Sequence, residues 1–264
     1  MPRRNAIFAA LAAVFCLLSP VCRADGLGPG DFFHDLGQYV TSPLRWDEGD
    51  WLFFGGALAA TAAAHTLDGR VRDHFAGDPA SQLDGGQDPH STRDIIPAAA
   101  LLGGTWLIST VTGNEFGQGE SYSMIESSLF SVMTLEGLKY AAGRDRPNET
   151  LDVNAWREGG SSFPSLHTGV AFAVGTVFAE SGDDEYRWLR RAIGYGMAGA
   201  TGYLRLHGNQ HWLSDTVAGA AVGMATARFS INRRLERIQG LESLSLQVLP
   251  EPGGLMLSFA LPVR

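Results

Sequence analysis

Residues 163–180 read FPSLHTGVAFAVGTVFAE and give the clearest helix signal of the chain. Proline fits the first turn of a helix, where its missing N–H would have no partner in any case. The residues that follow are apolar and rich in Ala and Gly as far as Glu180. The stretch therefore predicts a helix from Pro164 to Glu180 whose first turn carries Ser165 and His167.

Helices of similar composition are predicted on both sides of this one. Small residues let helix backbones approach closely, which suits a tight bundle in water and also helix association in lipid. A polar segment from 68 to 94 is predicted as a long loop with a short helix at 70–75. The other predicted helices are Trp51–Leu67, Ile95–Thr112, Ser121–Ala142, Tyr186–Arg205 and His211–Leu235.

The C-terminal residues follow a different period. Apolar side chains alternate with polar or small ones over 244–248 and 255–259, on either side of a Pro- and Gly-rich turn. Such alternation is typical of strands, so we predict a β-hairpin tail over residues 239–264. The predicted fold class is mainly α, with one helical-bundle domain over residues 25–238 and a short C-terminal β-hairpin.

Composition excludes several classes of protein. The chain has 264 residues, of which 45% are hydrophobic and 18% charged, and this rules out a disordered chain or a coiled coil. A formal net charge of -8 argues against a nucleic-acid partner, because phosphate backbones are held by an excess of Lys and Arg. Lys139 is the one lysine beside nineteen arginines, which indicates a position that needs a compact ammonium.

Residues 1–24 have the form of a secretory signal peptide. Two arginines precede an apolar run over 6–18, and a Ser-Pro pair with small residues follows. Cleavage after Ala24 would remove Cys16 and Cys22, which are the two cysteines of the chain. The sequence therefore predicts an exported protein without disulfides, periplasmic or envelope-associated. An integral membrane protein, with the apolar helices spanning the bilayer, is the alternative.

Three polar stretches interrupt the helical pattern at the ends of predicted helices. Each of the four helices from Ser121 onward contributes one end, and an up-and-down order would bring these ends together. The first stretch holds Lys139 and Arg146, the second Ser165 and His167, and the third Arg205, His211 and Asp215. The sequence thus predicts one pocket at one end of the bundle.

The chemistry of these residues indicates a phosphate site. Lys139, Arg146 and Arg205 supply cations, while Ser165 and a helix N-terminus supply neutral donors. Two histidines provide a nucleophile and an acid for phosphoryl transfer through a covalent intermediate. On a helix, a carboxylate four residues after a histidine can hold one imidazole nitrogen and leave the other free to attack.

These stretches resemble the three-part signature of the type 2 phosphatidic acid phosphatase superfamily. That superfamily includes lipid phosphatases, non-specific acid phosphatases and vanadium-dependent haloperoxidases. The resemblance implies a metal-independent phosphatase that acts through a phosphohistidine and needs no cofactor. It implies a lipid-linked or small soluble phosphomonoester or pyrophosphate as substrate. By resemblance, phosphate is bound by Lys139, Arg146, Ser165 and Arg205, while His211 is the nucleophile, His167 the general acid and Asp215 the orienting carboxylate.

Two positions depart from the family pattern, and several alternatives stay open. Leu166 replaces the usual Gly and Leu204 the usual Ser, so the substrate is less well defined than the chemistry. A vanadate-dependent haloperoxidase and an inactive envelope binding protein are alternative functions. The spacing of His207, His211 and Asp215 also allows a zinc site. A membrane surface is a further expected partner, and the oligomeric state is left open.

Overall fold

The structure is a computed structural model that describes residues 29–76, 92–182, 185–243, 246–251 and 254–259. Most of these residues are helical, so the predicted mainly α class is confirmed. Short 3-10 turns lie at Ser42–Arg45 and Thr92–Ile95. The helices are α1 Pro29–Thr41, α2 Glu48–His65, α3 Asp68–Ala76, α4 Ile96–Thr112, α5 Glu115–Ala142, α6 Leu166–Glu180, α7 Arg187–His207 and α8 Leu213–Ser243.

Helix α1 has no counterpart among the predicted helices. The Tyr39 ring stacks on Phe130 of α5 at 4.7 Å between centroids, and its hydroxyl lies 2.7 Å from Thr134 Oγ1. Helix α5 begins six residues earlier than predicted, because the Asn114 side chain caps it by accepting a hydrogen bond from the Gly117 N–H. The predicted signal peptide lies outside the described residues.

Beyond α8 the chain takes two strands, β1 Leu246–Glu251 and β2 Gly254–Phe259. They fall where the alternation of the sequence predicts a hairpin. The hairpin as a stable part of the fold stays a prediction, as does the division at residue 238.

Helix α6 occupies the centre and packs against α4, α5, α7 and α8. Small residues bring these helices close together. A Cβ built on Gly194 of α7 would clash with the carbonyl oxygen of Gly175 on α6. A Cβ built on Gly223 of α8 would clash in the same way with the carbonyl oxygen of Gly169. The core between the helices is buried and apolar, and it includes Met124, Ala171, Val174, Val177, Ala198 and Ala227.

Helices α2 and α4 turn apolar surface outward. In α2 the buried residue is Ala64, and in α4 the buried residues are Ala98 and Ser109. Within the described part of the chain, one helical stretch, Arg93–Thr112, is long and apolar enough to cross a membrane, and only 11% of its most apolar window is buried. The exposed apolar side chains include Trp51, Leu52, Leu58, Leu107, Ile108 and Val111.

Candidate active site

The candidate site lies at the end of the bundle where α5 and α7 finish and α6 and α8 begin. The Ser165 N–H donates to the carbonyl oxygen of Asp215 at 2.9 Å, which ties the start of α6 to the start of α8. The Arg146 guanidinium donates to the Gln210 carbonyl oxygen at 3.1 Å. Each of the predicted residues except His167, which is half-buried, has 5% or less of its surface exposed.

The end of α5 is fixed by Gly143, which has a φ of 55°. Its N–H donates to the Lys139 carbonyl oxygen at 2.9 Å, in the left-handed cap that favours glycine. Lys139 therefore sits in the last turn of α5. Its Nζ donates to the Ser161 carbonyl oxygen at 2.6 Å, and Arg146 Nη2 lies 3.4 Å from the same oxygen. Two cations thus converge on one loop carbonyl.

The electrostatics of these cations favour an anionic ligand. Burial and the neighbouring Arg146 charge lower the pKa of Lys139 to about 8. Burial, and then the charge of Arg205, also lowers the pKa of Arg146. Like charges held together away from water raise one another's energy, and a bound dianion would relieve this repulsion.

The start of α6 supplies the neutral donors. Ser165 precedes the helix, which begins at Leu166, two residues later than predicted. Its hydroxyl lies 3.0 Å from Thr168 Oγ1, and either group can be the donor. The peptide bond between Phe163 and Pro164 is cis. The free N–H groups of a first helical turn are suited to binding an anion.

Arg205, near the end of α7, has an acidic partner that the sequence reasoning did not identify. Its Nη1 donates to Asp94 Oδ2 at 2.8 Å. Burial lowers the pKa of Arg205, and the hydrogen bond to Asp94 opposes that shift. Asp94 lies in the 3-10 turn before α4, so this turn also contributes to the site.

His211 and Asp215 meet in a geometry different from the predicted one. The sequence reasoning placed both on one helix, but His211 lies in the turn before α8, which begins at Leu213. Asn209, with a φ of 51°, belongs to this turn and separates α7 from α8. His211 Nδ1 lies 3.4 Å from Asp215 Oδ2, longer than an ideal hydrogen bond. Contacts of this kind often tighten only when substrate binds.

The charge state of His211 suits a nucleophile. Burial is the main cause that holds its pKa well below the usual range, and the charges of Arg146, Lys139 and Arg205 act in the same direction. The imidazole is therefore neutral at neutral pH. Because Asp215 faces Nδ1, Nε2 is left for a substrate phosphorus.

The Asp215 carboxylate is held by three segments of the chain. Its Oδ2 accepts from Ser162 Oγ at 2.5 Å and from the Trp212 N–H at 2.9 Å. Its Oδ1 accepts from Arg144 Nη1 at 2.8 Å. Burial raises the pKa of Asp215, and the charge of Arg144 together with these hydrogen bonds opposes the rise.

Sequence reasoning missed the role of two residues here. Arg144 was not assigned to the site, and Asp68 was placed only at the start of a predicted loop. Both side chains are fully buried, and Arg144 Nη2 donates to Asp68 Oδ2 at 2.7 Å across 76 positions of sequence. A charged residue so close to Arg146 was the available signal, but its partners are too distant in sequence to be read from spacing.

The structure does not form a zinc site from His207, His211 and Asp215. His207 belongs to α7, where its ring lies against Phe75 and Tyr203, while Asp215 belongs to α8. In the described ranges, no three His, Cys, Asp or Glu side chains are grouped so that they could hold a metal ion.

Comparison with known proteins points to one superfamily. Residues 121–239 match the family described as the PAP2 superfamily. The chain is also 35% identical over 113 residues to a protein of Porphyromonas gingivalis described as lipid A 1-phosphatase. This stretch is 41% of the present chain and 23% of the relative, so the chain spans under a quarter of that protein. No solved structure gives a significant match.

Proposed function

Because the chain belongs to the PAP2 superfamily through residues 121–239, we propose that it is a metal-independent phosphatase acting on phosphate esters. The observation that carries the proposal is the buried His211, which lies 3.4 Å from Asp215 and is subject to the charges of the buried cations Lys139, Arg146 and Arg205. Such a cluster neutralises the non-bridging oxygens of a phosphoryl group and presents a nitrogen to the phosphorus.

The reaction proceeds in two steps. In the first, His211 Nε2 attacks phosphorus, the bond from phosphorus to the leaving oxygen breaks, and His167 gives that oxygen a proton. In the second, His167 removes a proton from water, the water oxygen bonds to phosphorus, and the bond between phosphorus and Nε2 breaks. Asp215 balances the positive charge of the phosphorylated imidazole, and Ser165 donates to a phosphate oxygen.

We propose a phosphorylated lipid as substrate and the cell envelope as location. The relative named lipid A 1-phosphatase supports the lipid, and the outward apolar faces of α2 and α4 support contact with a membrane. Residues 1–24 are proposed to direct export, and residues 25–238 to form the catalytic domain. A small soluble phosphomonoester would bind to the same cluster of cations.

The proposal is tested by phosphate release in the presence of a chelator. Purified protein is given an aryl phosphate and, in parallel, a lipid phosphate or isoprenoid pyrophosphate in detergent micelles. We expect release from at least the lipid substrate, without a metal requirement. Activity on both substrates indicates an open pocket. The phosphatase function is contradicted if neither substrate releases phosphate. It is also contradicted if the only activity found is bromination in the presence of vanadate and peroxide.

His167→Ala separates the two chemical steps. With an aryl phosphate whose leaving group needs no proton, we expect one equivalent of aryl alcohol in a rapid burst, followed by turnover slowed about 100-fold or more, since general acid–base catalysis contributes this much. Acid-labile, base-stable label should accumulate on His211 after rapid quenching with radioactive substrate. A variant that turns over slowly without a burst would remove His167 from the second step.

Lys139 predicts a pH dependence. Its pKa is lowered to about 8, so its positive charge is present below pH 8 and is lost as pH rises through that value. We expect kcat/KM to fall above about pH 8 in the native protein. Arginine keeps its charge in this range, so Lys139→Arg should remove this alkaline fall even where its overall rate is lower. An unchanged alkaline limb in Lys139→Arg would assign the limb to another group.

A further inference from the structure

Behind the candidate nucleophile lies a buried row of charges. Asp68 of α3, Arg144 of the loop after α5, and Asp215 of α8 follow one another at 2.7 and 2.8 Å, and each is fully buried. The row continues outward to His65 of α2, whose Nδ1 lies 2.9 Å from Asp68 Oδ2. The row joins α2 and α3, which lie outside the family match, to the candidate site.

We propose that Asp68 and Arg144 are positioning residues of the phosphatase reaction, which orient the Asp215 carboxylate and set how strongly its charge acts on His211. The inference rests on the proposed function, since it assigns His211 as the nucleophile. Neither residue contacts the phosphate in this role. Both act through Asp215.

The geometry of Arg144 supports orientation. Its guanidinium donates to Asp215 with Nη1 and to Asp68 and the Val153 carbonyl oxygen with Nη2. The rings of Trp156 and Trp212 lie 4.4 and 5.1 Å from its central carbon. A group fixed on several sides leaves its neighbour Asp215 little freedom, so Oδ2 stays directed at His211.

Asp68 also fixes the start of α8. Its Oδ1 accepts from the Ser214 N–H at 2.8 Å, and its Oδ2 accepts from Ser214 Oγ at 2.7 Å. The same hydroxyl accepts from Arg144 Nη1 at 2.8 Å. Asp68 therefore holds both the guanidinium and the helical turn that carries Asp215. The attraction between opposite charges is stronger in a buried site than in water.

The charge balance supports the second part of the proposal. Arg144 is shared between two carboxylates, so Asp68 takes up part of its charge and leaves more of the negative charge of Asp215 for His211. Without Asp68, the full guanidinium charge would fall on Asp215. Without Arg144, no cation in the row would offset the negative charge of Asp215. The other charged or titratable groups facing His211 come from α5, the loop after it, α6 and α7, and they are Lys139, Arg146, His167 and Arg205.

Opposed shifts in the pH profile test the proposal. In Asp68→Asn, we expect kcat to fall at least about tenfold and the acid limb of kcat/KM to move to lower pH, because the environment of His211 becomes more positive. In Arg144→Gln, kcat should also fall, but the acid limb should move to higher pH. Substrate ionisation is the same for every variant, so only differences between variants count. A merely structural role predicts lost activity without limbs that move in opposite directions.

The controls use carboxylates and guanidinium groups outside the site. Asp73→Asn lies on α3 with Asp68, and Arg191→Gln lies on α7, and both side chains are more than half exposed. Both control variants should keep the native kcat and the native acid limb of kcat/KM. If Asp68→Asn does not fold, the variants of Arg144 still test the proposal. Arg144→Lys keeps the charge and should keep the native acid limb of kcat/KM, whereas Arg144→Gln should move it. An unchanged limb in folded Arg144→Gln overturns the proposal.

Failure of the proposed function would look different. Absence of acid-labile label on a histidine after rapid quenching, both in native protein and in His167→Ala, would remove His211 as nucleophile. Native protein that labels normally, with variants of Asp68 and Arg144 whose limbs do not move, would remove the positioning role alone.

Discussion

His211→Ala is expected to lower kcat by on the order of 10,000-fold and to leave no covalent phosphoenzyme. The substitution removes the nitrogen that attacks phosphorus. The remaining cradle of Lys139, Arg146 and Arg205 still binds phosphate, so inorganic phosphate should inhibit binding of a fluorescent substrate analogue as in the native protein. The measurement is steady-state release of phosphate together with label incorporation after rapid quenching.

The fold should survive this change. His211 lies in a turn, and its Nδ1 makes no good hydrogen bond within the described residues. Thermal unfolding should therefore stay within a few degrees of the native value. His207→Ala is the matched control, because His207 lies four residues earlier and against Phe75 and Tyr203. Its rate should stay near the native rate. Residual activity of His211→Ala above a few per cent would point to another nucleophile.

Gly194→Ala is expected to cause a large loss of stability. A Cβ at this position would meet the backbone carbonyl of Gly175, which cannot rotate away as a side chain can. The helices α6 and α7 must then separate, and overpacking of this kind costs up to about 3 kcal/mol. In a domain of this size such a loss lowers Tm by roughly 10 °C.

Gly196→Ala is the matched control, two residues along α7. Nothing lies within 4 Å of a Cβ built there, so the added methyl group meets open space. Alanine has a higher helix propensity than glycine, and this variant should be more stable by about 0.5–1 kcal/mol. Thermal unfolding followed by circular dichroism compares the two. Equal melting temperatures for the two variants would mean that α6 and α7 are not in close contact at Gly175.

The helical part of the fold could be predicted from sequence because its signals are local. Pro164 and Gly143 mark helix ends, and the apolar runs give the lengths of α4 and α6. Helix α1 was missed, since its place depends on Tyr39 packing against Phe130, which is a tertiary contact. The start of α8 was placed two residues too early, at His211, because Gly208 and Asn209 mark the turn but not the residue at which the next helix begins.

The candidate site divides in the same way. Lys139, Arg146 and Ser165 could be singled out because they are polar residues near the ends of predicted helices and because they resemble the family signature. Asp94 and Asp68 were missed because they reach the site from the 3-10 turn before α4 and from α3, across more than 70 positions of sequence. Their carboxylates became visible only when the helices were assembled. Sequence patterns identify the residues expected to contact a ligand better than they identify the residues that hold those side chains in place.

The row of charges from Asp68 to Asp215 bears on how the site could be moved between proteins. The family match begins at residue 121, whereas Asp68 lies well before it. A chimaera that took only residues 121–239 would carry Arg144 and Asp215 without the second carboxylate. A buried guanidinium missing one of its two counter-ions costs several kcal/mol. Transplantation of the catalytic end into another bundle therefore requires that the host, or an added copy of α3, supply a carboxylate at this place.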